Sequence, residues 1–419
     1  MGCGIDILVL GGTEGARKLN FGGSEEYKQF IEIGGRTIIE YVIDSALRCE
    51  DSRRVYVVTD AERLEEVLKQ RPPVNAEKLR VIPQAGSIVQ NIREAVALHA
   101  LPDSGFPVFD YLNRSTSDYV YANPKARCLR MVGLYSDTVF IKPEDISRFV
   151  EESNPAADYE IGFADETALG TVEQTVGAKL CLPETKTALF PIAGTSIRHN
   201  NMVIGYPMRI PDEIWGLAQS IYDNRKFLTE QGLQNPEALR KIYKMLKEYT
   251  FSHGRGKLNI LYGFLLAGML MSAFKRAHKK GDQEARNMLK TEDFEMAACY
   301  ISGNELYGEA HISDVAMPTF DIDNEKMLTR LTEEGGHLFR KLMGMERQYP
   351  PSPERELEMF VQQHDDMFNY DEPVPLQEWR FLLGEEAVPD EIMRVKIKRP
   401  APRGLFRPFF MQRGEGDER

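Results

Sequence analysis

Apolar and polar positions alternate in two rhythms along the first third of the chain. Ile7–Leu10 is an unbroken apolar run that stops at Gly11 and Gly12, the pattern of a strand buried on both faces. "TIIEYVIDSALRC" from Thr37 carries its apolar residues at helical spacing. "RVYVVTD" from Arg54, "AERLEEVLKQ" and "LRVIPQ" from Leu79 predict a strand, a helix and a strand. "SIVQNIREAVALHA" reads as a helix capped by Ser87. "CLRMVGLYSD" from Cys128 is a fourth strand closing on an aspartate, and "KPEDISRFVEESN" from Lys142 a helix with an early proline. This order predicts a mostly parallel α/β sheet with helices on both faces, whose ligands gather beyond the carboxyl ends of the strands.

The rhythm then changes. Short strands and turns are expected from about 159 to 207, with "FPIAGTSIRHNNMVIGYP" a strand pair crossing the mouth of the sheet. Helices dominate from 211 to about 290, which reads as a helical insertion. "AMPTFDIDNEKMLTRL" from Ala316 predicts a strand, a sharp acidic turn and a helix. Beyond 340, "QYPPSPE" has linker character, so the expected organisation is one domain over 1–340 and a C-terminal extension over 341–419.

"LNILYGFLLAGMLMSAF" (258–274) sits at the short end of the roughly 17 to 25 residues a spanning helix needs. Basic residues at both ends, Asn259 and two internal glycines favour a buried core helix over a membrane contact. The net charge of −12 argues against a chain that coats nucleic acid, since that task needs Lys and Arg to replace phosphate counterions. Five scattered cysteines without a C-x-x-C pair suggest neither a disulfide framework nor a zinc knuckle. No secretion signal is visible, which makes the cytoplasm the expected location. The histidines lack H-E-x-x-H spacing and no G-x-S-x-G elbow occurs, which disfavours zinc proteases and serine hydrolases. "HDD" at 364–366 reads as a solvated helical stretch. The tail, with Arg394, Lys396, Lys398, Arg399, Arg403 and Arg407 among Phe406, Phe409 and Phe410, reads as an ordinary disordered or strapped-down terminus, with docking on anionic lipid or a partner protein the less favoured alternative.

The glycine turn, Lys28, the aspartate after the fourth strand and the acidic turn near 320 form one set. That set resembles the sugar-phosphate and alditol-phosphate nucleotidyltransferases, in particular the MobA-like NTP transferase domain. Its opening motif, approximately L-A-A-G-x-G-T-R-M, is matched by "VLGGTEGARK", with Leu10, Gly11, Gly12, Thr13, Gly15 and Arg17 on it. "YKQFIEIGGR" follows its P-K-Q-F-L segment, and "FDIDNEKML" its D-I-D-T-P-E-D-L. Thr13, Ala16, Tyr27, Ser136 and Val139 depart from the pattern.

The resemblance implies a Rossmann-like nucleotidyltransferase fold of the GT-A type, and an enzyme that moves an NMP group from an NTP to a sugar or polyol phosphate with release of pyrophosphate. Backbone N–H groups at Gly11, Gly12, Thr13 and Gly15 would cradle the triphosphate. Arg17 and Lys28 would neutralise phosphate charge as it develops. Asp137 and Asp321 would hold Mg2+, with Asp323 an alternative that could instead cap the next helix. Gln84, Gly86 and Ser87 would face the base, with Asn91 a weaker candidate. Arg198, Asn200 and Asn201 would meet the acceptor, or satisfy strand-end hydrogen bonds. Lys326 is near in sequence but reads as a solvated helix lysine. Three rivals stand beside this: an NAD(P)-dependent reductase, disfavoured because Asp60 falls too late after the glycines; a glycosyltransferase using Asp321 and Asp323; and a non-catalytic nucleotide-binding protein.

Overall fold

The computed structural model describes residues 4–12, 18–21, 24–176, 189–216, 218–219, 257–302, 306–320, 322 and 325–344. The chain divides into two units, Met1–Met343 and Gly344–Arg419, and the second lies outside the described residues except for Gly344. The predicted linker, the 364–366 stretch and the basic tail are therefore also outside them.

Four strands, β1 (Ile5–Gly11), β6 (Ser52–Thr59), β7 (Leu79–Pro83) and β8 (Met131–Tyr135), pair in parallel in the order β8-β1-β6-β7. Between β1 and β6 lie two hairpins, β2 (Lys18–Phe21) with β3 (Ser24–Tyr27), and β4 (Glu32–Ile33) with β5 (Arg36–Thr37). Helices α1 (Ile38–Arg48), α2 (Ala61–Gln70) and α3 (Ile88–Glu94) follow β5, β6 and β7. The last continues through a π-turn (Ala95–Ala100) into α4 (Leu101–Asp103), and α5 (Thr116–Ala122) precedes β8.

Alternate residues of each strand serve different layers because successive side chains point to opposite faces. Ile7, Val9, Val55, Val57 and Val132 pack under Ile39, Val42 and Ile43 of α1 and under Ile146 and Phe149 of α6 (Pro143–Glu152). Leu8, Tyr56 and Val58 face Ala95, Val96 and Leu101 with Phe109 and Tyr119. Unbroken apolar runs such as Ile7–Leu10 and Val55–Val58 are thus what a sheet covered on both sides requires. Capping sets the helix starts: Asp60 accepts from Arg63 N at 3.2 Å, and the Thr37 N–H donates to Glu40 Oε2 at 2.6 Å.

Beyond β8 the sheet departs from the expected pattern. β11 (Ser196–Gly205) does not cross the mouth of the sheet; it lies within it, antiparallel to both β8 and β9 (Tyr159–Asp165), with β10 (Phe190–Pro191) on its flank. β12 (Gly308–Ser313) closes the edge, parallel to β9. The strand expected from Ala316 is in fact β12, a few residues earlier, and Met317–Thr319 is a single 3-10 turn. Between β9 and β10 stands a helix, α7 (Glu166–Val176), where only strands and turns were expected. The result is a mixed, mostly parallel Rossmann-like α/β sheet with helices on both faces.

Further helices are α8 (Lys257–Lys280), α9 (Gln283–Asn287), α10 (Thr291–Ile301) and α11 (Glu325–Gly344), besides a helical stretch at 212–216; the part of the expected helical insertion at 217 and 220–256 lies outside the described residues. Phe339 of α11 meets Tyr41 and Phe140 at ring distances of 5.5 and 5.8 Å, which seats this helix beside α1. As expected of a core helix, α8 buries Leu270 and Ala273 in a cluster with Ala285, Leu289 and Ala297, while Leu265 and Met269 are exposed. Among the described residues, no helix is long and apolar enough to cross a membrane.

Candidate functional site

After β1 the chain builds β6 and β7 on one side and then returns to place β8 on the other. The carboxyl ends of β1 and β8 therefore flank the point where strand order reverses, which in open sheets of this kind is a crevice. Gly11 closes β1 there. A Cβ on it would stand 3.1 Å from the Ser136 side chain and 3.2 Å from Ile39 Cδ1, so the close approach of the two strand ends needs a glycine. Ser136 N donates to Leu10 O at 3.0 Å and ties the two ends together.

The Gly11 carbonyl is a hub. It accepts from Gln29 Nε2 at 2.8 Å and from Thr59 Oγ1 at 2.7 Å, using both lone pairs. Gln29 is buried in the middle of a one-turn 3-10 helix, Lys28–Phe30, whose Phe30 is part of the core under α1. Anchored on both sides, this turn carries Lys28 to the crevice, where Lys28 Nζ forms an ion pair with Asp137 Oδ2. The lysine side chain is 29% exposed and the aspartate 11%, so the pair sits at the rim of the sheet, open to solvent on the cation's side. The two residues lie more than a hundred positions apart in sequence, one before the second strand of the sheet and one after the fourth.

A second wall comes from the end of β7. A Cβ on Gly12 would lie 3.4 Å from Asn91 Nδ2 and 3.6 Å from Gln84 Oε1. Asn91 is buried; its Oδ1 accepts from Ala85 N at 2.7 Å and its Nδ2 donates to Gly86 O at 3.4 Å. This amide holds the 84–87 turn, in which Gly86 has φ +140°, conformational space that disfavours any side chain. Ser87 Oγ accepts from Gln90 N at 3.2 Å as the cap of α3.

The third wall is β11. Its pairing with β9 breaks between His199 and Val203, and within that bulge Asn201 takes φ +59°. Asn200 is fully buried. Its Oδ1 accepts from Met202 N at 3.2 Å, its Nδ2 has no hydrogen-bond partner among the described residues, and it fills the space over Gly162, where a Cβ would fall 2.1 Å from Oδ1. Asn201 Nδ2 donates to Pro318 O at 2.9 Å, fastening the 317–319 turn to the strand. Arg198 pairs across from Ala164, one residue short of the end of β9. His199 meets Tyr135 and Phe163 edge-on, and burial pushes its imidazole below the usual histidine range.

Of the residues singled out from sequence, Leu10, Gly11, Gly12, Lys28 and Asp137 meet at the β1–β8 end, with Gln84, Gly86 and Ser87 on the β7 side and Arg198, Asn200 and Asn201 on β11. Thr13, Gly15, Arg17, Asp321 and Asp323 lie outside the described residues. Phe320 and Ile322, on either side of Asp321, are buried. Among the described residues no group of three or more His, Cys, Asp and Glu side chains is placed to hold a metal. Asp60, which a dinucleotide reading would need at the end of β6, is occupied in capping α2. Sequence reasoning passed over Gln29 and Thr59, which organise the Gly11 carbonyl. Gln29 stood in plain view after Lys28, but only the fold reveals its acceptor.

No protein-family model and no curated protein matches this sequence. Solved structures similar to it include a hypothetical transferase from Thermus thermophilus, at 17% identity and a TM-score of 0.45, covering 78% of this chain and 99% of that one. A CMP:2-keto-3-deoxy-manno-octonic acid synthetase complexed with CTP is similar at 13% identity and a TM-score of 0.30, over 58% of this chain and 99% of that one. A 4-diphosphocytidyl-2C-methyl-D-erythritol synthase from Anaerococcus prevotii is similar at 13% identity and a TM-score of 0.26, over 39% of this chain and 56% of that one.

Proposed function

We propose that this protein is a Mg2+-dependent nucleotidyltransferase of the MobA-like kind, transferring an NMP group from an NTP to a sugar or polyol phosphate. The observation that carries this reading is the Lys28–Asp137 ion pair beside the Gly11–Gly12 turn, at the reversal point of the sheet. A cation and a carboxylate at one strand-end crevice are the two groups that a triphosphate and its counter-ion need.

Asp137, a carboxylate at a strand end, is a donor of the kind magnesium takes. That ion keeps several waters and is held by one or two carboxylates plus substrate phosphates, so Asp137 with Asp321 would suffice. Bound there, it would neutralise phosphate charge and align the reacting oxygens. The chain's own groups do the rest. Gly11 and Gly12 let the backbone approach the phosphates, Arg17 grips them, and Lys28 moves from Asp137 to an α-phosphate oxygen. An acceptor phosphate oxygen, positioned by Arg198 and Asn201, attacks the α-phosphorus. The bond to the bridging oxygen breaks, and pyrophosphate leaves with the electron pair. Gln84, Gly86 and Ser87 line the side of the crevice where the base would lie.

The test is pyrophosphate release across CTP, GTP, UTP, ATP and dTTP with a panel of sugar and polyol phosphates. Lys28→Ala is expected to lose at least a hundredfold in rate while its melting temperature stays near wild type, since electrostatic stabilisation of this sort is worth about 10²–10³ in kcat. Wild-type turnover in Lys28→Ala, or no turnover with any pair in the parent, refutes the reading.

A further inference from the structure

Among the described residues the Asp137 carboxylate has one partner, the Lys28 ammonium. The backbone on each side of this pair is pinned. Lys28 opens the 3-10 turn whose Gln29 is bonded to Gly11 O and whose Phe30 belongs to the core. Asp137 stands between Ser136, whose N–H donates to Leu10 O at 3.0 Å, and the fully buried Thr138, whose N–H donates to Tyr135 O at 3.3 Å. Val139 and Phe140, which follow, are buried as well. The contact is therefore set by the fold. Of the two side chains, the lysine, more exposed and on a flexible four-carbon stem, is the one able to swing away.

The charges decide what this arrangement does. Asp137 is the more enclosed member of the pair, and a carboxylate in that setting needs a cation beside it, because an enclosed charge without a partner is costly. With Lys28 in place the pair is neutral. Lys28 thereby keeps the carboxylate closed to a divalent ion that arrives alone: two cations on one carboxylate repel enough, even at the dielectric of water, to weaken the ion's binding about tenfold. A nucleotide changes the balance. Its phosphates offer Lys28 another anion, and the ammonium that swings to them leaves Asp137 to the ion those phosphates bring. Lysine and metal trade places, and the carboxylate keeps a cation throughout.

We propose that Lys28 is a built-in counter-ion that withholds Asp137 from free divalent metal, so that metal enters with the nucleotide and not ahead of it. This rests on the reading above of Asp137 as a metal carboxylate. The test is Mn2+ binding to the full chain without nucleotide, read from the electron paramagnetic resonance of the unbound ion. Lys28→Met and Lys28→Gln, which remove the charge and keep most of the stem, are each expected to bind Mn2+ at least tenfold more tightly than the wild type. Lys28→Arg, which keeps the charge, is expected to bind it as the wild type does. Lys28→Met/Asp137→Asn is expected to lose the gain. Unchanged affinity in both uncharged variants, an equal gain in Lys28→Arg, or a gain that survives Asp137→Asn overturns the proposal. Pyrophosphate release by the wild type judges nucleotidyl transfer separately. Turnover together with unchanged Mn2+ affinity in the uncharged variants removes the counter-ion alone, whereas the tenfold gain without turnover for any NTP and acceptor removes transfer and leaves the counter-ion standing.

Discussion

Gln29→Met isolates the contact that aims Lys28. Methionine has nearly the same length and volume and is unbranched, so the change removes the Nε2 donor to Gly11 O while leaving the buried space filled. The carbonyl keeps its bond from Thr59 Oγ1 at 2.7 Å, so the larger cost of orphaning a buried acceptor does not arise. The expected loss is therefore that of one hydrogen bond, about 1 kcal/mol, read as a lower urea midpoint at unchanged slope. Thr59→Val removes the other donor and should cost about the same. The double variant leaves the carbonyl unpaired, and its loss should exceed the sum of the two by roughly 1–3 kcal/mol. Activity separates the two singles. Gln29 shares a 3-10 turn with Lys28, whereas Thr59 belongs to β6. Pyrophosphate release should fall about tenfold or more in Gln29→Met, since a displacement on the order of 1 Å can cost far more than that. It should be nearly unchanged in Thr59→Val. Strict additivity in the double variant, or equal activity in the two singles, refutes this account of the hub.

Two further outcomes test the scaffold. His311 on β12 stands 3.3 Å from Glu152 and 3.5 Å from Glu160; burial alone would lower its pKa, but the hydrogen bonds to Glu152 and then Glu160, with their charges, push it up to about 9. A histidine raised in the folded state contributes stability that is complete below its unfolded pKa of about 6.5 and is lost as pH climbs through 9. Urea midpoints of the wild type should therefore fall between pH 6.5 and 9 by an amount on the order of 1–3 kcal/mol that His311→Gln does not show, and parallel curves for the two would sink the assignment. Gly263→Ala should cost about 1–3 kcal/mol in chemical denaturation, because its Cβ would meet the backbone of α10 at Ile301 N and, at 3.0 Å, Ala297 O, forcing the helices apart; an unchanged midpoint would mean that the crossing is looser than described.

Local pattern was enough for the strands and helices of the first third. Ala61–Gln70 matches its predicted span residue for residue, and β1, β6 and β7 match theirs to within two or three, because a strand buried on both faces and a capped amphipathic helix are each written in a handful of neighbouring side chains. That Lys28 and Asp137 meet beside Gly11 was expected from their residue types and positions, which resemble a nucleotide-handling motif, and the structure brings these groups together. Pairing was not legible. Whether β11 crosses the sheet or joins it depends on the vacancy left between β8 and β9 when the chain steps over one position, and no residue of β11 records that step. The same holds for the outward face of α8, whose sequence is apolar almost throughout; only the packing of α9 and α10 decides which half is covered. The Gly11 carbonyl shows the distinction most sharply. The sequence by itself determined that a glycine ends β1, but an acceptor shared between Gln29 and Thr59, eighteen residues to one and forty-eight to the other, exists only once the chain has folded back twice on the same strand end.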